Sequence, residues 1–341
     1  LEPPEWNIIA RDAHNGLLLW KRPFAPWLSH LHMWGAVRPT LQRRLVAGDG
    51  RLYVTLGFFA PVSALDASSG EKIRTYEQTR GAEEIIHHDG VLLVAARQVT
   101  DERIAQLEKW KELARQKDSP IHNRDKAEPL ENEYRQARHD AKRRLLAIDT
   151  STGKTLWKKD TGDLGWIRPL TLSAVGDRVL YQQGTTVNCV ELTSGKKLWA
   201  TDSIASQRTV AEGRVVCANG NSIEVLSLET GERLWKKPTV LKNIRDGFII
   251  DGSLWLGGFE EGTDWKDRPN PVWGPMCATE RDLETGKLLK HIKSDPPGHH
   301  HRCYQNKATT NYLLTGRRGI EFIDTETGEF RWNSWVRGVC K

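Results

Sequence analysis

Residues 147–157 read AIDTSTGKTLW. Ala147, Ile148 and Asp149 end one strand, Thr150 to Gly153 form a tight turn, and Lys154 to Trp157 begin the returning strand. Gly153 suits a turn position with positive φ, where a side chain would clash, and the oxygens of Asp149 and Thr152 can accept bonds from turn amides. Trp157 then closes the hairpin with a large apolar face.

The same pattern recurs along the chain. Copies stand at Ala10 to Trp20 (ARDAHNGLLLW), Ala64 to Arg74 (ALDASSGEKIR), Cys189 to Trp199 (CVELTSGKKLW), Val225 to Trp235 (VLSLETGERLW), Glu280 to Lys290 (ERDLETGKLLK) and Phe322 to Trp332 (FIDTETGEFRW). Their turn glycines, Gly16, Gly70, Gly153, Gly195, Gly231, Gly286 and Gly328, are separated by 54, 83, 42, 36, 55 and 42 residues. A basal period of about 40 residues interrupted by insertions is the spacing of a β-propeller. A second kind of hairpin precedes six of the copies: Arg44 to Leu56, Ile85 to Ala96, Leu170 to Gln183, Thr209 to Asn219, Phe248 to Gly258 and Ala308 to Arg318. Most of these are two apolar runs about a Gly- or Asp-containing turn, and each pairs with the motif hairpin after it to give a four-stranded blade. The first motif hairpin has no such partner. The expected fold is therefore all-β, a seven-bladed β-propeller in one domain spanning 1–341. Its closing blade, incomplete, combines Trp6 to Lys21 with Trp335 to Lys341, and the natural polypeptide is expected to continue past Lys341.

Composition narrows the classes. Of 14 tryptophans, Trp20, Trp157, Trp199, Trp235 and Trp332 occupy the last motif slot, which makes them packing repeats rather than a binding cluster. The net charge of +6 permits anionic partners without naming one. A run of about 18 apolar residues, as a membrane-spanning helix requires, is missing, and the basic residues form no clustered stripe with stacking aromatics, so nucleic acid is not an expected partner. The five cysteines make no CxxC pair. Cys189 and Cys217 read as buried thiols, whereas Cys277, Cys303 and Cys340 leave room for one disulfide.

Two insertions depart from the repeat. Residues 101–143 place Ile104, Leu107, Trp110 and Leu113 at steps of three in a charged background, an amphipathic helix broken at Asp118-Ser119-Pro120 and followed by a second helix from Leu130. This helical hairpin packs on the rim or serves as a docking arm. Residues 259–279, rich in Trp, Pro and acid groups, offer Asp264, Trp265, Asp267 and Trp273 as a ligand lid or as wedges against a neighbouring blade. The loop Pro23 to Thr40 carries Trp27, His30, His32 and Trp34, which line a pocket or pack on the rim.

The repeat resembles that of the PQQ-like β-propeller family, whose motif is close to A-x-D-x-x-T-G-x-x-x-W, over nearly the whole chain outside the two insertions. The resemblance implies the fold; it does not fix an activity. Quinone-dependent dehydrogenases, envelope assembly scaffolds and propellers without a known ligand all share the motif. A dehydrogenase would imply PQQ over a calcium ion, with tryptophan and adjacent cysteines beside it. This chain has no adjacent cysteines, and no calcium carboxylate or catalytic aspartate can be placed, so no cofactor is expected, with PQQ and calcium as the alternative. The resemblance also implies export to the bacterial cell envelope or periplasm.

Charged residues recur where each blade begins its innermost strand: Arg43 and Arg44, Arg168, Arg208, Arg245, Arg302 and Arg337, with Glu83 and Glu84 in the remaining blade. Such positions converge on the central channel of a propeller, where a basic funnel would favour carboxylate, sulfate or phosphate. GHHHRC, Gly298 to Cys303, is the one dense run of metal-ligand types. On an extended strand only His299 and His301 share a face with Cys303, so a Zn or Cu site competes there with a plain polar strand start. The expected function is a non-enzymatic module that binds a protein partner or a small anionic ligand. The alternatives are a quinone-dependent oxidoreductase, or a propeller appended to a catalytic domain outside this chain; oligomeric state is not legible.

Overall fold

The structure is a computed structural model that describes residues 6–24, 43–98, 100–102, 104–105, 142–160, 167–168, 171–205, 207–260, 276–293, 306–315 and 320–333. The chain divides into two compact units, 1–183 with 190–196, and 184–189 with 197–341. The first contains strands β1 (Asn7–Arg11), β2 (Leu18–Pro23), β3 (Leu45–Gly48), β4 (Arg51–Thr55), β5 (Val62–Asp66), β6 (Lys72–Tyr76), β7 (Ala82–His88), β8 (Val91–Arg97), β9 (Arg143–Asp149), β10 (Thr155–Asp160), β11 (Ser173–Val175) and β12 (Arg178–Gln183). The second contains β13 (Thr186–Glu191) for the greater part, β14 (Lys197–Asp202), β15 (Gln207–Ala211), β16 (Arg214–Ala218), β17 (Ser222–Ser227), β18 (Arg233–Pro238), β19 (Leu241–Ile250), β20 (Ser253–Glu260), β21 (Met276–Asp282), β22 (Leu288–Lys293), β23 (Lys307–Ala308), β24 (Tyr312–Thr315), β25 (Ile320–Asp324) and β26 (Phe330–Asn333).

Each sheet follows chain order. β3 to β6, β7 to β10, β11 to β14, β15 to β18, β19 to β22 and β23 to β26 are six four-stranded sheets, and β1 with β2 is a two-stranded one. These are the expected blades, so the chain is an all-β, seven-bladed β-propeller with its closing blade reduced to two strands among the described residues.

The blades form because their middle strands are apolar on both faces. In β8 every residue is buried. Val91, Leu93 and Ala95 join a layer with Trp157, Leu172, Val179 and Tyr181, whereas Leu92, Val94 and Ala96 join the opposite layer with Tyr53, Val62 and Tyr76. Period-2 alternation in one strand thus serves two inter-blade layers. Burying each such Leu or Val is worth roughly 1.5 to 3 kcal/mol.

Four of the inner hairpins turn on two residues of left-handed backbone. Asp49-Gly50, Asp89-Gly90, Glu212-Gly213 and Asp251-Gly252 all have positive φ at both positions, the conformation whose twist suits a two-residue hairpin. The motif turns use a longer loop. Gly153 has φ +76° and its N–H donates to Asp149 O at 2.8 Å, while the Asp149 carboxylate accepts the Thr152 N–H at 2.6 Å. The Lys154 N–H reaches the Thr152 hydroxyl at 3.3 Å, so the roles read from these residues hold.

Three expectations change in detail. The 259–279 insertion is partly strand: Phe259 pairs with Met276 and Gly258 with Cys277, so the ladder of β20 and β21 continues into both of its ends. Cys277 is buried in β21 and, like Cys189 and Cys217, is a thiol; it takes no part in the disulfide envisaged. β19 begins at Leu241, ahead of Phe248, with a bulge between Lys242 and Asp246. In the 101–143 insertion, Asp101, Glu102, Ile104 and Ala105 are helical, with the Ile104 N–H on Thr100 O at 2.9 Å; residues 106–141 lie outside the described residues.

Candidate functional site

Of the charged residues expected at the starts of the inner strands, Arg43, Arg44, Glu83 and Glu84 are engaged inside the fold. In the first unit, Glu84 of β7 is 1% exposed, and its Oε1 accepts a bond from Arg43 and another from the Leu172 N–H at 3.2 Å. One carboxylate therefore joins the starts of three successive blades. Arg44 is buried, donates from Nη1 to Phe58 O at 2.8 Å, and stacks its guanidinium 4.7 Å above the Phe58 ring. The beginning of Arg168 is tied by its N–H to Gln182 O at 2.9 Å.

Beside Glu84, Glu83 takes Arg97 on Oε1 and Arg143 on Oε2, the latter at 3.2 Å. Arg97 and Arg143 face each other across β8 and β9. Two buried guanidinium groups opposite one another repel unless a carboxylate sits between them, and Glu83 is that carboxylate. The cluster lies where the 101–143 insertion leaves and rejoins the blade. Gln98 extends the clamp, its N–H donating to Lys142 O at 2.7 Å and its Nε2 to Asp160 Oδ1 at 2.9 Å, where Arg144 Nε also donates at 2.9 Å. The insertion thus springs from a rigid neck. Sequence reasoning missed this neck because Arg97 and Arg143 lie far apart in the chain, although a buried arginine at each end of an insertion is a signal for it.

His87 and His88 were also missed. The His87 ring stacks on Tyr53 at 5.1 Å, with Nε2 3.2 Å from Asp49 Oδ2, and His88 Nε2 lies 2.9 Å from Gly176 O. One turn, HHDG, thereby touches the inner-hairpin turns of the blades before and after it.

In the second unit, cross-strand neighbours place Arg208, Cys217, Glu224 and Lys236 in a row over β15 to β18. Burial pushes the Cys217 thiol up, against the pull of Arg208. Burial also opposes ionisation of Glu224, yet bonds from Lys236 at 2.6 Å and Ser203 at 3.0 Å, with Arg233 at 3.1 Å, hold it below the usual carboxylate range. Asp246 is buried and accepts both the Asn306 N–H, at 3.2 Å, and the Asn306 side-chain amide, at 2.7 Å. This pair fixes the chain just after the GHHHRC run.

Of the expected ligand-facing residues, Arg44, Glu84 and Arg168 belong to the first unit and Arg208 to the second. Arg245 lies in β19, with its side chain outside the description. Arg302, Arg337, Trp27, Trp34, Asp264, Trp265, Trp273, His299, His301 and Cys303 fall outside the described residues. Among the described residues, Glu83 and Glu84 are held by guanidinium groups, Cys189, Cys217 and Cys277 lie on separate strands, and no three His, Cys, Asp or Glu side chains are grouped so as to hold a metal ion. No described helix is long and apolar enough to cross a membrane.

Comparison with solved structures shows the fold. A computationally designed protein, Ika8, is 13% identical, covers 96% of this chain and 80% of its own, and superposes with a TM-score of 0.58. A europium-containing methanol dehydrogenase is 11% identical over 96% of this chain and 76% of its own, with a TM-score of 0.55. BamB from Moraxella catarrhalis is 13% identical over 91% of this chain and 73% of its own, with a TM-score of 0.52. No curated protein matches the sequence. The family model described as outer membrane protein assembly factor BamB matches residues 5–159 and 141–245, more than half of the chain. The repeats read from the sequence and the blades built from them are those of this family, and the chain belongs to the PQQ-like β-propeller family that this model defines.

Proposed function

We propose that this propeller is a non-enzymatic module that binds a protein partner or a small anionic ligand in the bacterial cell envelope. The observation that supports this most is the state of its inner-strand charges: Glu83, Glu84, Arg43, Arg44, Arg97 and Arg143 bind one another and the backbone. Groups committed in this way stiffen a scaffold, and preorganised scaffolds carry recognition on their loops. The 101–143 insertion, whose described ends are clamped, and the 259–279 insertion, joined to the ladder at both ends, are the contact elements of this reading. The family's description as an assembly factor supports a protein partner and an envelope location. Arg168, in the first unit, and Arg208, in the second, both partly exposed, are each a candidate contact for a carboxylate, sulfate or phosphate.

The competing reading is a quinone-dependent oxidoreductase. Titration of the purified protein with PQQ and calcium, followed by absorbance and by dye reduction with alcohols, separates the two. The binding-module reading expects no saturable chromophore and no turnover; saturable PQQ binding with turnover overturns it. Calorimetry with phosphate and sulfate, on the wild type and on Arg168→Ala and Arg208→Ala, tests the anionic ligand. Loss of measurable binding in one variant supports a ligand site at that residue, and equal heats in all three proteins remove both.

A further inference from the structure

The turn His87 to Gly90 begins with two histidines whose ring nitrogens are used differently. His88 Nε2 lies 2.9 Å from Gly176 O, and a carbonyl oxygen only accepts, so that nitrogen carries a proton. His87 Nε2 has no such use. It is buried and makes no hydrogen bond among the described residues, although Asp49 Oδ2 of the preceding blade is 3.2 Å away. The two atoms are close without being aligned as donor and acceptor. Asp49 has no other ion pair or hydrogen bond among the described residues, and its side chain is 66% exposed.

The fold holds both groups where they are. The His87 ring stacks on the fully buried Tyr53, with centroids 5.1 Å apart and planes 13° from parallel. Its edge lies against Gly48, where a Cβ would meet Nδ1 at 2.3 Å, so a larger residue there would push the ring aside. Asp49 comes next, with φ +51° at the first position of the β3–β4 turn. The His87 side chain is only 8% exposed, and it cannot swing away without losing the stack. Both turns belong to the first unit.

We propose that Asp49 Oδ2 and His87 Nε2 are the two protein ligands of a zinc ion that joins the β3–β4 turn to the β7–β8 turn of the next blade, with water completing its coordination. Zinc binds imidazole nitrogen at roughly 2.0 to 2.1 Å and carboxylate oxygen at roughly 2.0 to 2.2 Å, so two such ligands at a tetrahedral angle lie about 3.3 Å apart. The pair is set at close to that separation, 3.2 Å. A buried nitrogen that lacks a hydrogen bond gains a partner when the ion binds, and the exposed flank of Asp49 leaves the remaining positions to solvent. One nitrogen with one carboxylate favours a zinc-class ion over calcium or magnesium, which take oxygen ligands. No three ligand-type side chains converge among the described residues, so the site is open and exchangeable rather than the closed four-ligand kind. His88, whose nitrogen is held by Gly176 O, is not a ligand. The inference goes beyond the binding-module reading and does not depend on it.

The test titrates zinc chloride into the tag-free full chain by calorimetry, in a parent that carries His299→Ser, His301→Ser and Cys303→Ser to silence the GHHHRC run. The expected result is a saturable zinc site, weakened at least about tenfold in Asp49→Asn and in His87→Phe and unchanged in His88→Gln. Asp49→Asn suits the left-handed turn position and removes the charge, and His87→Phe keeps a ring on Tyr53 and removes both nitrogens. Zinc should also slow hydrogen exchange of the amides of Gly48 to Arg51 and His87 to Val91, and raise the thermal midpoint of the parent but not of Asp49→Asn. Calcium and magnesium should do neither. Circular dichroism verifies that each variant is folded; if the parent is not, hydrogen exchange on the wild-type chain, with and without Asp49→Asn, decides.

Equal zinc affinity in the parent, Asp49→Asn and His87→Phe overturns the site, and so does zinc binding that leaves both turns unprotected. No zinc binding at millimolar concentration overturns it as well. Calcium bound as tightly as zinc overturns the proposed metal class. The titrations with PQQ, phosphate and sulfate bear on the functional reading and leave the zinc result to stand or fall by itself.

Discussion

The turns at Gly195 and Gly153 sit in successive blades, and each is docked onto by the blade before it, but by different side chains. At Gly195 the indole of Trp157 lies flat against the glycine, and its N–H donates to Leu192 O at 2.7 Å. At Gly153 the tryptophan slot holds Arg74. Its guanidinium lies against the glycine, while Thr150 O receives Arg51 Nη1 at 3.0 Å and the Tyr76 hydroxyl at 3.3 Å. Leu192 and Thr150 occupy the same motif position. Each donates its own N–H to the inner-hairpin turn of its blade, Leu192 to Asp177 O at 2.7 Å and Thr150 to Gly90 O at 2.9 Å. That residue is a node: its N–H ties the blade internally and its carbonyl receives the neighbour. Trp20, Trp199, Trp235 and Lys290 reach the corresponding carbonyls of Ala67, Leu228, Leu283 and Thr325. What each dock conserves is therefore a donor for one carbonyl and a cover for one glycine. Tryptophan supplies both from a single side chain.

The two docks should respond differently to truncation. Trp157→Ala removes a side chain that is 8% exposed together with its hydrogen bond, and should lower unfolding stability by about 3 to 5 kcal/mol. Arg74→Ala should cost less than about 1 kcal/mol, because Arg51 and Tyr76 still satisfy the carbonyl. Urea unfolding of both variants checks the contrast. Equal losses would mean that the donors at Gly153 do not share the load.

The glycines beneath the docks sharpen the same comparison. A Cβ at Gly195 would come within 2.7 Å of the Trp157 ring, whereas one at Gly213, of nearly equal φ (+70° against +67°), would meet nothing within 4 Å. Both alanine variants bear the left-handed backbone cost of roughly 1 to 2 kcal/mol. Only Gly195→Ala adds displacement of the indole, for a total of about 2 to 4 kcal/mol. If the two midpoints shift equally, the ring does not seat on the glycine.

Lys290 is the dock in which an ammonium replaces the indole. Its Nζ is 2.7 Å from Thr325 O and 5.8 Å from the centre of the Trp255 ring. Lys290→Met keeps the stem and loses the donor, so it should cost about 1 kcal/mol. Lys290→Trp should recover that loss if an indole can be seated there; failure to recover would show that this blade has adapted its spacing to lysine.

These docks also explain how much of the molecule was legible beforehand. The blades were readable because turns with positive φ demand Gly153 and its counterparts, and because strands such as β8, buried on both faces, must be continuously apolar. The node was not readable: Ala67, Thr150, Leu192, Leu228, Leu283 and Thr325 share no side-chain type, since only their backbone is used. The charged strand starts were found in the sequence but not their pairing. Nothing local tells Glu84 that Arg43, 41 residues earlier, is its partner, and Glu83 lies 60 residues before Arg143.

The smallest expected effect distinguishes turns built on aspartate from the turn built on serine. The Ser151 hydroxyl, the Thr152 N–H and the Thr152 hydroxyl, at 2.7, 2.6 and 2.8 Å, hold the Asp149 carboxyl down to about 2 from its ordinary 3.8. Asp66, Asp282 and Asp324 are lowered in the same way by hydroxyl and amide donors of their own turns. In the unfolded chain those donors disperse and the carboxyl returns to its usual range. The folded state then binds fewer protons than the unfolded one at acid pH, so the stabilisation is fully present above about pH 4 and is lost as pH falls through about 2. Asp149→Asn keeps an acceptor for the turn amides and removes the titration; its stability should fall less steeply between pH 4 and pH 2 than that of the wild type. Ser227 fills the aspartate slot in the second unit and bonds the Thr230 N–H at 3.2 Å through a hydroxyl that does not ionise. Ser227→Asp should therefore steepen the acid limb. Unfolding midpoints in urea at pH 2, 3, 4 and 7 measure all three proteins, and parallel acid limbs would show that the turn carboxylates do not set the acid sensitivity of the fold.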